Sequence, residues 1–390
     1  QNIKYLIKEE RLDKRLLEFD LKKLSDALRI KRDKKFKYLG IQILYDRYFL
    51  RHEDKLVESP QAFWMRVSMG LAINETDKEE WAIKFYNLLS DFRYTPSTPT
   101  LFNSGTVHSQ LSSCYLNTFD DSIDGIFDGA WQEARKSKFA GGLGLDVTPF
   151  RSTGAYIKGT NGISSGLVPW LKIYNDLLVA VNQGGKRPGA GCAYLEPWHL
   201  DYEDFLNLRR NTGDERLRCH DINTASWIPD IFMRKVQAEE EWYLFNPNEC
   251  PELHDLHGEA FDKKYNYYCK KAEKGEVKNF RKLPAKDLWK KVLKVLFETS
   301  HPWNTFKDPC NIRYTNQHEG AVHSSNLCTE ITLHTKASQY KEGEKVKTGE
   351  TAVCNLGSVN VRNHLRQLYN QDTDSTSYDI NWTRLGETIQ

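Results

Sequence analysis

From Tyr94 onward, short runs typical of β-strands alternate with helical stretches, and this alternation constrains the fold more than any other feature of the sequence. The strand-like runs are 112–119, 144–149, 190–195, 222–228 and 241–245. The helical stretches between and after them include 165–181, 201–210 and 284–300. Strands and helices in this order predict an α/β architecture.

Residues 1–93 are predicted to form a separate helical domain. Leucines recur at helical spacing in "RLDKRLLEFDLKKLSDALRI", and both "YLGIQILYDRYFL" and "EEWAIKFYNLLSDF" carry broad apolar faces. Proline, threonine and serine become frequent in "YTPSTPTLFNSGT", which marks the start of a second domain, 94–390. The basic stretch "RIKRDKKFK" at 29–37 fits a solvated helix end, and an anion site is the alternative.

The last part of the chain is polar and then helical. Residues 335–351 predict an exposed hairpin or a polar excursion. The final stretch, "YDINWTRLGETIQ", is typical of a helix start with Asn381 or Thr383 as the cap. Because the sequence stops within this predicted helix, we expect the chain to be truncated or split.

Composition favours an ordinary globular protein. The 390 residues are 39% hydrophobic and 28% charged, with a net charge of +2. This balance gives no reason to expect nucleic acid or an anionic membrane as a partner. No apolar run reaches the roughly 18 residues of a membrane span, and the N-terminus lacks a signal-peptide core. The predicted location is the cytoplasm.

The eight cysteines and the glycine-rich stretches each leave alternatives open. No cysteine lies within five residues of another, so no zinc or redox motif is present and no metal site is predicted. Buried small hydrophobes are the default for such thiols. The stretches "KFAGGLGLD" and "VNQGGKRPGAG" match neither dinucleotide-binding nor P-loop patterns. They fit either tight turns or a backbone brought close to a ligand.

The stretch "HSSNLCTEITL" places Asn326, Cys328 and Glu330 at every second position. In an extended segment, these three side chains point to one side, and Leu327, Thr329 and Ile331 point to the other. An amide, a thiol and a carboxylate on one face predict a site of chemistry.

Three cysteine motifs, taken together, resemble the catalytic large subunit of ribonucleotide reductase. They are "QLSSCYLN", "SSNLCTEI" and "AVCNLGSVN". The segments between them, such as "GGLGLDVTPFR" and "RRNTGDERLRCHDIN", are similar to that family in the same order, over about residues 35–390. The resemblance implies a ten-stranded α/β barrel after a helical domain. This chain would hold the first half of the barrel, the cysteine finger loop and the start of the second half.

The resemblance also implies roles for five residues in nucleotide reduction. Cys328 matches the thiyl-radical cysteine that abstracts the 3′-hydrogen of the ribose. Cys114 and Cys354 match the pair that reduces the 2′-position and becomes a disulfide, so we expect their Cα atoms within roughly 6 Å. Glu330 matches the base for the 3′-hydroxyl, and a closed, water-poor site would suit it. Asn326 matches the amide that hydrogen-bonds the sugar.

Further positions match nucleotide contacts of the family. Those near the substrate are Thr98, Ser113 and Gly142. Those of the allosteric effector site, which in the family lies at a dimer interface, are Asp121, Arg151, Gln183 and Arg187. A helix N-cap is the alternative for Asp121.

The partners follow from the same resemblance. "NLCTE" resembles the class I form, which binds no cofactor directly and receives its radical from a separate dimetal small subunit. The family implies diphosphate substrates, dNTP or ATP effectors, a homodimer, and thioredoxin or glutaredoxin as reductant. An ATP-binding cone and the second half of the barrel are not recognisable. We therefore expect a complementary C-terminal chain, with an incomplete fragment as the alternative. An inactive, nucleotide-binding or regulatory remnant is the competing function.

Overall fold

A computed structural model of the chain describes residues 2–181, 188–370 and 374–390. The chain divides into two units, Gln1–Ser113 with Asn355–Gln390, and Cys114–Cys354. The predicted domain boundary after residue 93 stays a prediction. Among the described residues, no helix has both the length and the apolar character needed to cross a membrane.

The α-helices and β-strands of the described residues are numbered in chain order. The helices are α1 (Asn2–Lys8), α2 (Leu21–Asp26), α3 (Tyr38–Ile43), α4 (Pro60–Leu71), α5 (Lys78–Ser90), α6 (Thr98–Asn103), α7 (Ile123–Lys138), α8 (Leu167–Ala180), α9 (Tyr202–Leu206), α10 (Asp230–Gln237), α11 (Glu252–Asp255), α12 (Gly258–Glu273), α13 (Ala285–Thr299), α14 (Lys307–Arg313) and α15 (Trp382–Ile389). The strands are β1 (Arg51–His52), β2 (Lys55–Leu56), β3 (Tyr94–Pro96), β4 (Cys114–Thr118), β5 (Gly142–Asp146), β6 (Thr153–Ile157), β7 (Gly162–Ser165), β8 (Ala190–Leu195), β9 (Asn223–Ile228), β10 (Glu241–Phe245), β11 (Phe280–Pro284), β12 (Trp303–Phe306), β13 (Gln339–Lys341), β14 (Glu344–Lys347), β15 (Ala352–Cys354), β16 (Gly357–Val359), β17 (Leu365–Asn370) and β18 (Ser375–Ile380).

The first unit is mainly helical, as predicted. Helices α4 and α5 pack against each other around side chains such as Phe63, Val67 and Tyr86, which are fully buried. Pro60 occupies the first turn of α4, where a missing N–H costs nothing. Helix α15 also belongs to this unit, and the side chain of Asn381 caps it by accepting from the N–H of Arg384 at 3.0 Å. Of the two predicted caps, Asn381 is therefore the observed one.

A six-stranded sheet organises the second unit, in the order β12-β9-β8-β5-β4-β15. The first five strands run parallel, and β15 pairs antiparallel with β4. The five predicted strand-like runs correspond to β4, β5, β8, β9 and β10 within a few residues. The predicted hairpin is also confirmed, as β13 and β14.

The two faces of this sheet have different coverings. Leu143 and Leu145 of β5 and Ala193 and Leu195 of β8 belong to the main core, which includes α7 and α8. The intervening residues of β8, Cys192 and Tyr194, point to the opposite face because strand side chains alternate. On that face they pack with Val322 and Leu327 of the segment that precedes and enters the predicted catalytic stretch.

Candidate functional site

The stretch 326–331 forms a turn, so the prediction of an extended row of side chains is wrong. Thr329 has a φ of 64°, which lies outside the extended region. The backbone N–H groups of Glu330 and Ile331 both donate to Oδ1 of Asn326, each at 3.1 Å. A side-chain amide that satisfies two backbone donors competes with strand pairing, and it closes the turn here.

Asn326 links two of the other predicted catalytic residues directly. Its Nδ2 donates to Sγ of Cys114 at 3.0 Å and to Oε1 of Glu330 at 2.8 Å. The Asn326 side chain is fully buried, so its amide holds one orientation with both oxygen and nitrogen satisfied. One amide therefore brings a thiol and a carboxylate to the same place.

The strands place the second thiol beside the first. In the antiparallel pair of β15 and β4, Cys354 lies directly opposite Cys114. Opposed residues in such a pair have Cα atoms about 4.5–5.5 Å apart, which is close enough for a disulfide. Both residues are thiols here. Burial, with a contribution from the Cys354 thiol, raises the pKa of Cys114 to about 12, so this thiol stays protonated at neutral pH.

Cys328 and Glu330 lie at the open side of the turn. Both residues are exposed. Burial raises the pKa of Cys354, its hydrogen bond with Cys114 opposes the shift, and Glu330 and Cys328 add to it, so both of these groups lie near Cys354. The expected closed, water-poor environment of Glu330 is not found within the described residues of this chain.

Three residues that the sequence did not assign to the site hold the turn in place, two of them from strands of the sheet. A Cβ on Gly144 of β5 would lie 2.0 Å from the carbonyl oxygen of Ser325, so glycine is required for this close approach. The hydroxyl of Tyr194 donates to the carbonyl oxygen of Asn326 at 2.6 Å. Ser325 Oγ donates to the carbonyl oxygen of Ile331 at 2.6 Å. Gly144 of "GGLGLD" thus allows close contact between two protein segments.

The predicted substrate contacts fall in both units. Gly142 is buried on β5 and pairs in register with Cys114. Thr98 and Ser113 belong to the other unit. There Thr98 Oγ1 lies 3.0 Å from the hydroxyl of Tyr48, and Ser113 accepts a hydrogen bond from the N–H of Leu356 at 3.3 Å.

Comparison with known families agrees with this geometry. The family model for the ribonucleotide reductase barrel domain matches residues 112–390, and the model for the ribonucleotide reductase all-alpha domain matches residues 34–109. The chain belongs to the ribonucleotide reductase family. The helical domain and the barrel-type α/β domain predicted from the sequence are therefore confirmed.

Curated relatives include proteins from bacteria and from viruses. The ribonucleoside-diphosphate reductase subunit alpha of Chlamydia trachomatis is 58% identical over 89% of this chain and 32% of the relative. The protein of the same name from Helicobacter pylori is 41% identical over 88% of this chain and 49% of the relative. The ribonucleoside-diphosphate reductase large subunit of vaccinia virus is 42% identical over 86% of this chain and 42% of the relative. The chain thus spans about a third to a half of the length of these relatives.

Two of the predicted effector residues of this reductase-family chain contact each other. Arg151 Nε donates to Oδ2 of Asp121 at 2.7 Å, and its guanidinium also donates to the Asp121 carbonyl oxygen at 3.0 Å. Burial raises the pKa of Asp121, although Arg151 opposes the shift. Ser122, not Asp121, caps α7, by accepting from the N–H of Gly125 at 3.0 Å, so the N-cap alternative for Asp121 is wrong. Gln183 and Arg187 lie outside the described residues.

One group of side chains of the types that ligate metal ions lies at the other end of the same strands. Asp146 ends β5, and His254 and His323 contact or stack beside it. These residues were not singled out from the sequence, because they come from three distant segments of the chain.

Proposed function

We propose that this chain is the radical-site portion of a ribonucleotide reductase that converts ribonucleoside diphosphates into 2′-deoxyribonucleotides through a thiyl radical. The observation that carries the proposal is the Asn326 amide, which joins Cys114 and Glu330 at 3.0 and 2.8 Å. Together with Cys354 opposite Cys114, this arrangement groups a dithiol, a carboxylate and a hydrogen-bond donor beside the exposed thiol of Cys328.

Each thiol has a separate task in this proposal. A thiyl radical on Cys328 takes the 3′-hydrogen atom of the ribose, and Glu330 takes the 3′-hydroxyl proton. The 2′-hydroxyl then leaves as water with a proton from the Cys114 and Cys354 pair. The pair supplies two electrons and delivers its second hydrogen to C2′ as its two sulfurs join in a disulfide. Glu330 returns its proton to the 3′-oxygen, and Cys328 returns the hydrogen atom to C3′. The sum is ribonucleotide plus dithiol to deoxyribonucleotide plus disulfide plus water.

The protonation state of the dithiol supports this order of events. Because burial raises the pKa of Cys114 to about 12, its sulfur carries a proton at neutral pH. A protonated thiol beside the 2′-hydroxyl holds the proton that a departing hydroxide needs. The amide of Asn326, which reaches both Cys114 and Glu330, would fix the two proton-transfer groups relative to the sugar.

Substrate contacts are assigned to Thr98, Ser113 and Gly142. The two hydroxyl side chains would donate to the phosphate or ribose, as short polar side chains commonly do. Gly142 offers a surface without a side chain next to Cys114, which would let the sugar approach the thiol.

The effector site is assigned to Asp121 and Arg151, with Gln183 and Arg187 as the reporters toward the substrate base. A dNTP or ATP would accept hydrogen bonds from the Arg151 guanidinium, which now binds Asp121. The adjacent helix α7 supports a homodimer at this site. Its residues Ile123, Phe127 and Trp131 are 64%, 49% and 58% exposed and recur every four positions, on one helical face.

The remaining partners belong to the same proposal. The chain binds no cofactor directly, and the radical comes from a dimetal small subunit. Thioredoxin or glutaredoxin reduces the Cys114 and Cys354 disulfide, and a complementary chain supplies the later barrel strands. The complex is cytoplasmic.

The test is nucleotide reduction by the chain together with a polypeptide covering the rest of a relative's barrel and a radical-generating small subunit. We expect deoxynucleotide formation that Cys328→Ser abolishes and that Cys310→Ser, at an unassigned thiol, preserves. Turnover that survives Cys328→Ser would contradict the assigned role. Tight dNTP binding by a wild-type assembly that lacks all turnover would favour the competing function, a nucleotide-binding remnant.

A further inference from the structure

A buried group of one carboxylate and two imidazoles lies at the carboxyl ends of β4 and β5. Asp146 ends β5 and is fully buried, His254 lies on the short helix α11, and His323 is 3% exposed. His254 Nε2 lies 2.6 Å from Oδ2 of Asp146. One potential ligand atom from each of the three side chains lies within 4.8 Å of the other two.

Neighbouring groups orient this carboxylate. Thr118 Oγ1 donates to Oδ2 of Asp146 at 2.9 Å, and the backbone N–H of Thr148 donates to Oδ1 at 3.2 Å. A metal-binding carboxylate is typically held by hydrogen bonds of this kind from outside its ligand set.

A second carboxylate orients the two imidazoles. Asp255 Oδ1 lies 2.8 Å from Nε2 of His323 and 3.5 Å from Nδ1 of His254. Each ring therefore uses one nitrogen toward Asp255 and keeps the other for a different partner. Metal-binding histidines commonly bind a carboxylate through the second ring nitrogen in this way.

The second ring nitrogen of His323 lacks a partner, which indicates that this site binds a ligand. Its Nδ1 is buried and has no hydrogen-bond partner among the described residues. Leaving a buried polar atom unpaired costs about 1–3 kcal/mol, so such an atom in a cluster of metal-type ligands calls for a specific explanation. A metal ion bound to Nδ1 would satisfy it.

We propose that Asp146, His254 and His323 bind a divalent transition-metal ion, with Zn²⁺ as the best-suited ion. Two imidazole nitrogens and one carboxylate oxygen form a ligand set that suits Zn²⁺ and related ions. His254 Nε2 and His323 Nδ1 are the ligating nitrogens, because the other nitrogens face Asp255. The ion replaces the proton between His254 Nε2 and Asp146 Oδ2, and these two atoms, now 2.6 Å apart, separate to admit it.

The site leaves room for a further ligand. His254 and His323 line a cavity of about 530 Å³, whose wall also includes Asp121 and His334. Three protein ligands beside an open cavity match zinc sites that keep one coordination position for water or another small ligand. The ion therefore binds water on the cavity side.

The position of His323 gives the ion a structural consequence. His323 precedes the Asn326 turn by three residues, so a metal bond at its Nδ1 ties the start of that turn to the end of β5. We expect Zn²⁺ to slow amide hydrogen exchange in residues 321–331. The proposal is independent of reductase activity, since every residue of the site lies in this chain.

Cobalt binding tests the site on the chelator-treated full chain. We expect one equivalent of Co²⁺ to give visible absorption bands of a nitrogen and oxygen ligand set, and Zn²⁺ to displace it. Asp146→Asn, His254→Asn and His323→Asn should each weaken binding by about a hundredfold or more, given that even outer-shell changes cost 10–100-fold. His220→Asn, at an exposed histidine that pairs with Glu215, is the matched control and should bind normally.

X-ray absorption of the wild-type chain with Zn²⁺ keeps the test decisive if a variant fails to fold. Two imidazoles in the zinc shell are the expected result. Absence of binding, binding that all three variants retain, or the intense near-ultraviolet bands of cobalt–thiolate bonds would overturn the proposal. The last outcome would place the ion on cysteines instead.

Discussion

The two ends of strands β4 and β5 carry different chemistry. At their start, Cys114 pairs in register with Gly142, and thiols, an amide and a carboxylate gather there. At their end, Thr118 pairs with Asp146, and two imidazoles gather beside the carboxylate. The two ends are four positions apart along each strand, which is about 13 Å at roughly 3.3 Å per residue.

Exposure distinguishes these two clusters. The thiol cluster presents Cys328 and Glu330 at the surface of the described chain, whereas Asp146 and His323 of the imidazole cluster are almost completely buried. Reactive groups need access to a substrate, while buried groups with several hydrogen bonds fix the backbone that carries them. The segment 321–331 contributes to both clusters, so the imidazole cluster can position the thiol cluster.

The largest effect is expected in the reaction rates of the thiols. With a pKa of about 12, only about one Cys114 in ten thousand is a thiolate at pH 8, against roughly a quarter for an ordinary thiol. Because only the thiolate reacts, and because a thiolate of higher pKa is intrinsically more nucleophilic, we expect iodoacetamide to modify Cys114 roughly a hundredfold more slowly than an ordinary thiol. Its rate should rise tenfold per pH unit while the fold is intact, and peptide mass spectrometry measures it.

Unfolding in urea provides the control for this prediction. The eight cysteines should then react at similar rates, because burial no longer raises the pKa of any thiol. Folded Cys114 that reacts as fast as exposed Cys328 would show that the amide and strand contacts do not shield it.

Loss of Asp146 is the next largest effect. Asp146→Ala removes one partner of a buried ion pair with His254, and such changes cost about 3–5 kcal/mol. We expect a loss of this size in the free energy of unfolding, measured by urea denaturation with a chelator present. Asp287→Ala, in a surface pair with Lys290, is the matched control and should change stability by less than about 0.5 kcal/mol. Equal losses in both variants would contradict the anchoring role of the imidazole cluster.

Local patterns explain the parts of the fold that were predicted correctly from the sequence. The runs that became β4, β5, β8, β9 and β10 are short, apolar and bounded by turn residues, so each carries its own signal. The 335–351 hairpin and the Asn381 cap likewise depend on a few adjacent residues. The thiol cluster was predicted from three motifs that resemble one family, not from their spacing.

Long-range contacts explain what the sequence did not predict. The alternation of Asn326, Cys328 and Glu330 in the sequence is compatible with either a strand or a turn. The positive φ of Thr329 could not be predicted, because threonine rarely adopts that conformation. The close approach of Ser325 to Gly144 joins segments far apart in the chain. Asp146 and His254 are 108 positions apart, so no spacing motif reveals the imidazole cluster.

Asn326 gives a smaller but specific effect at the thiol end. Asn326→Ala leaves the partly buried backbone N–H groups of Glu330 and Ile331 without their acceptor. Each unpaired N–H costs about 1–3 kcal/mol, and water at this open turn relieves part of the cost. We therefore expect the free energy of unfolding to fall by about 2–4 kcal/mol. Urea denaturation measures it, with Asn316→Ala at an exposed position as control. A loss below about 0.5 kcal/mol, the usual range for surface changes, would show that the amide does not hold the turn.

The smallest expected change concerns the contact between the turn and β5. A Cβ at residue 144 would lie 2.0 Å from the Ser325 carbonyl oxygen and 2.9 Å from the Cα of Asn326, both backbone atoms that cannot rotate away. Gly144→Ala should therefore cost about 1–3 kcal/mol through overpacking and displace the turn. Gly159→Ala is the matched control, since no atom lies within 4 Å of the added methyl.

The same variant also tests whether the thiol cluster and the imidazole cluster respond independently. If the turn moves as a unit away from the sheet, Gly144→Ala should speed alkylation of Cys114 by breaking its contact with Asn326, while the Asp146–His254 pair stays intact. If Gly144→Ala lowers stability but leaves the Cys114 alkylation rate unchanged, the turn has not moved as a unit. The strain then spreads along β5 and affects the thiol cluster and the imidazole cluster alike.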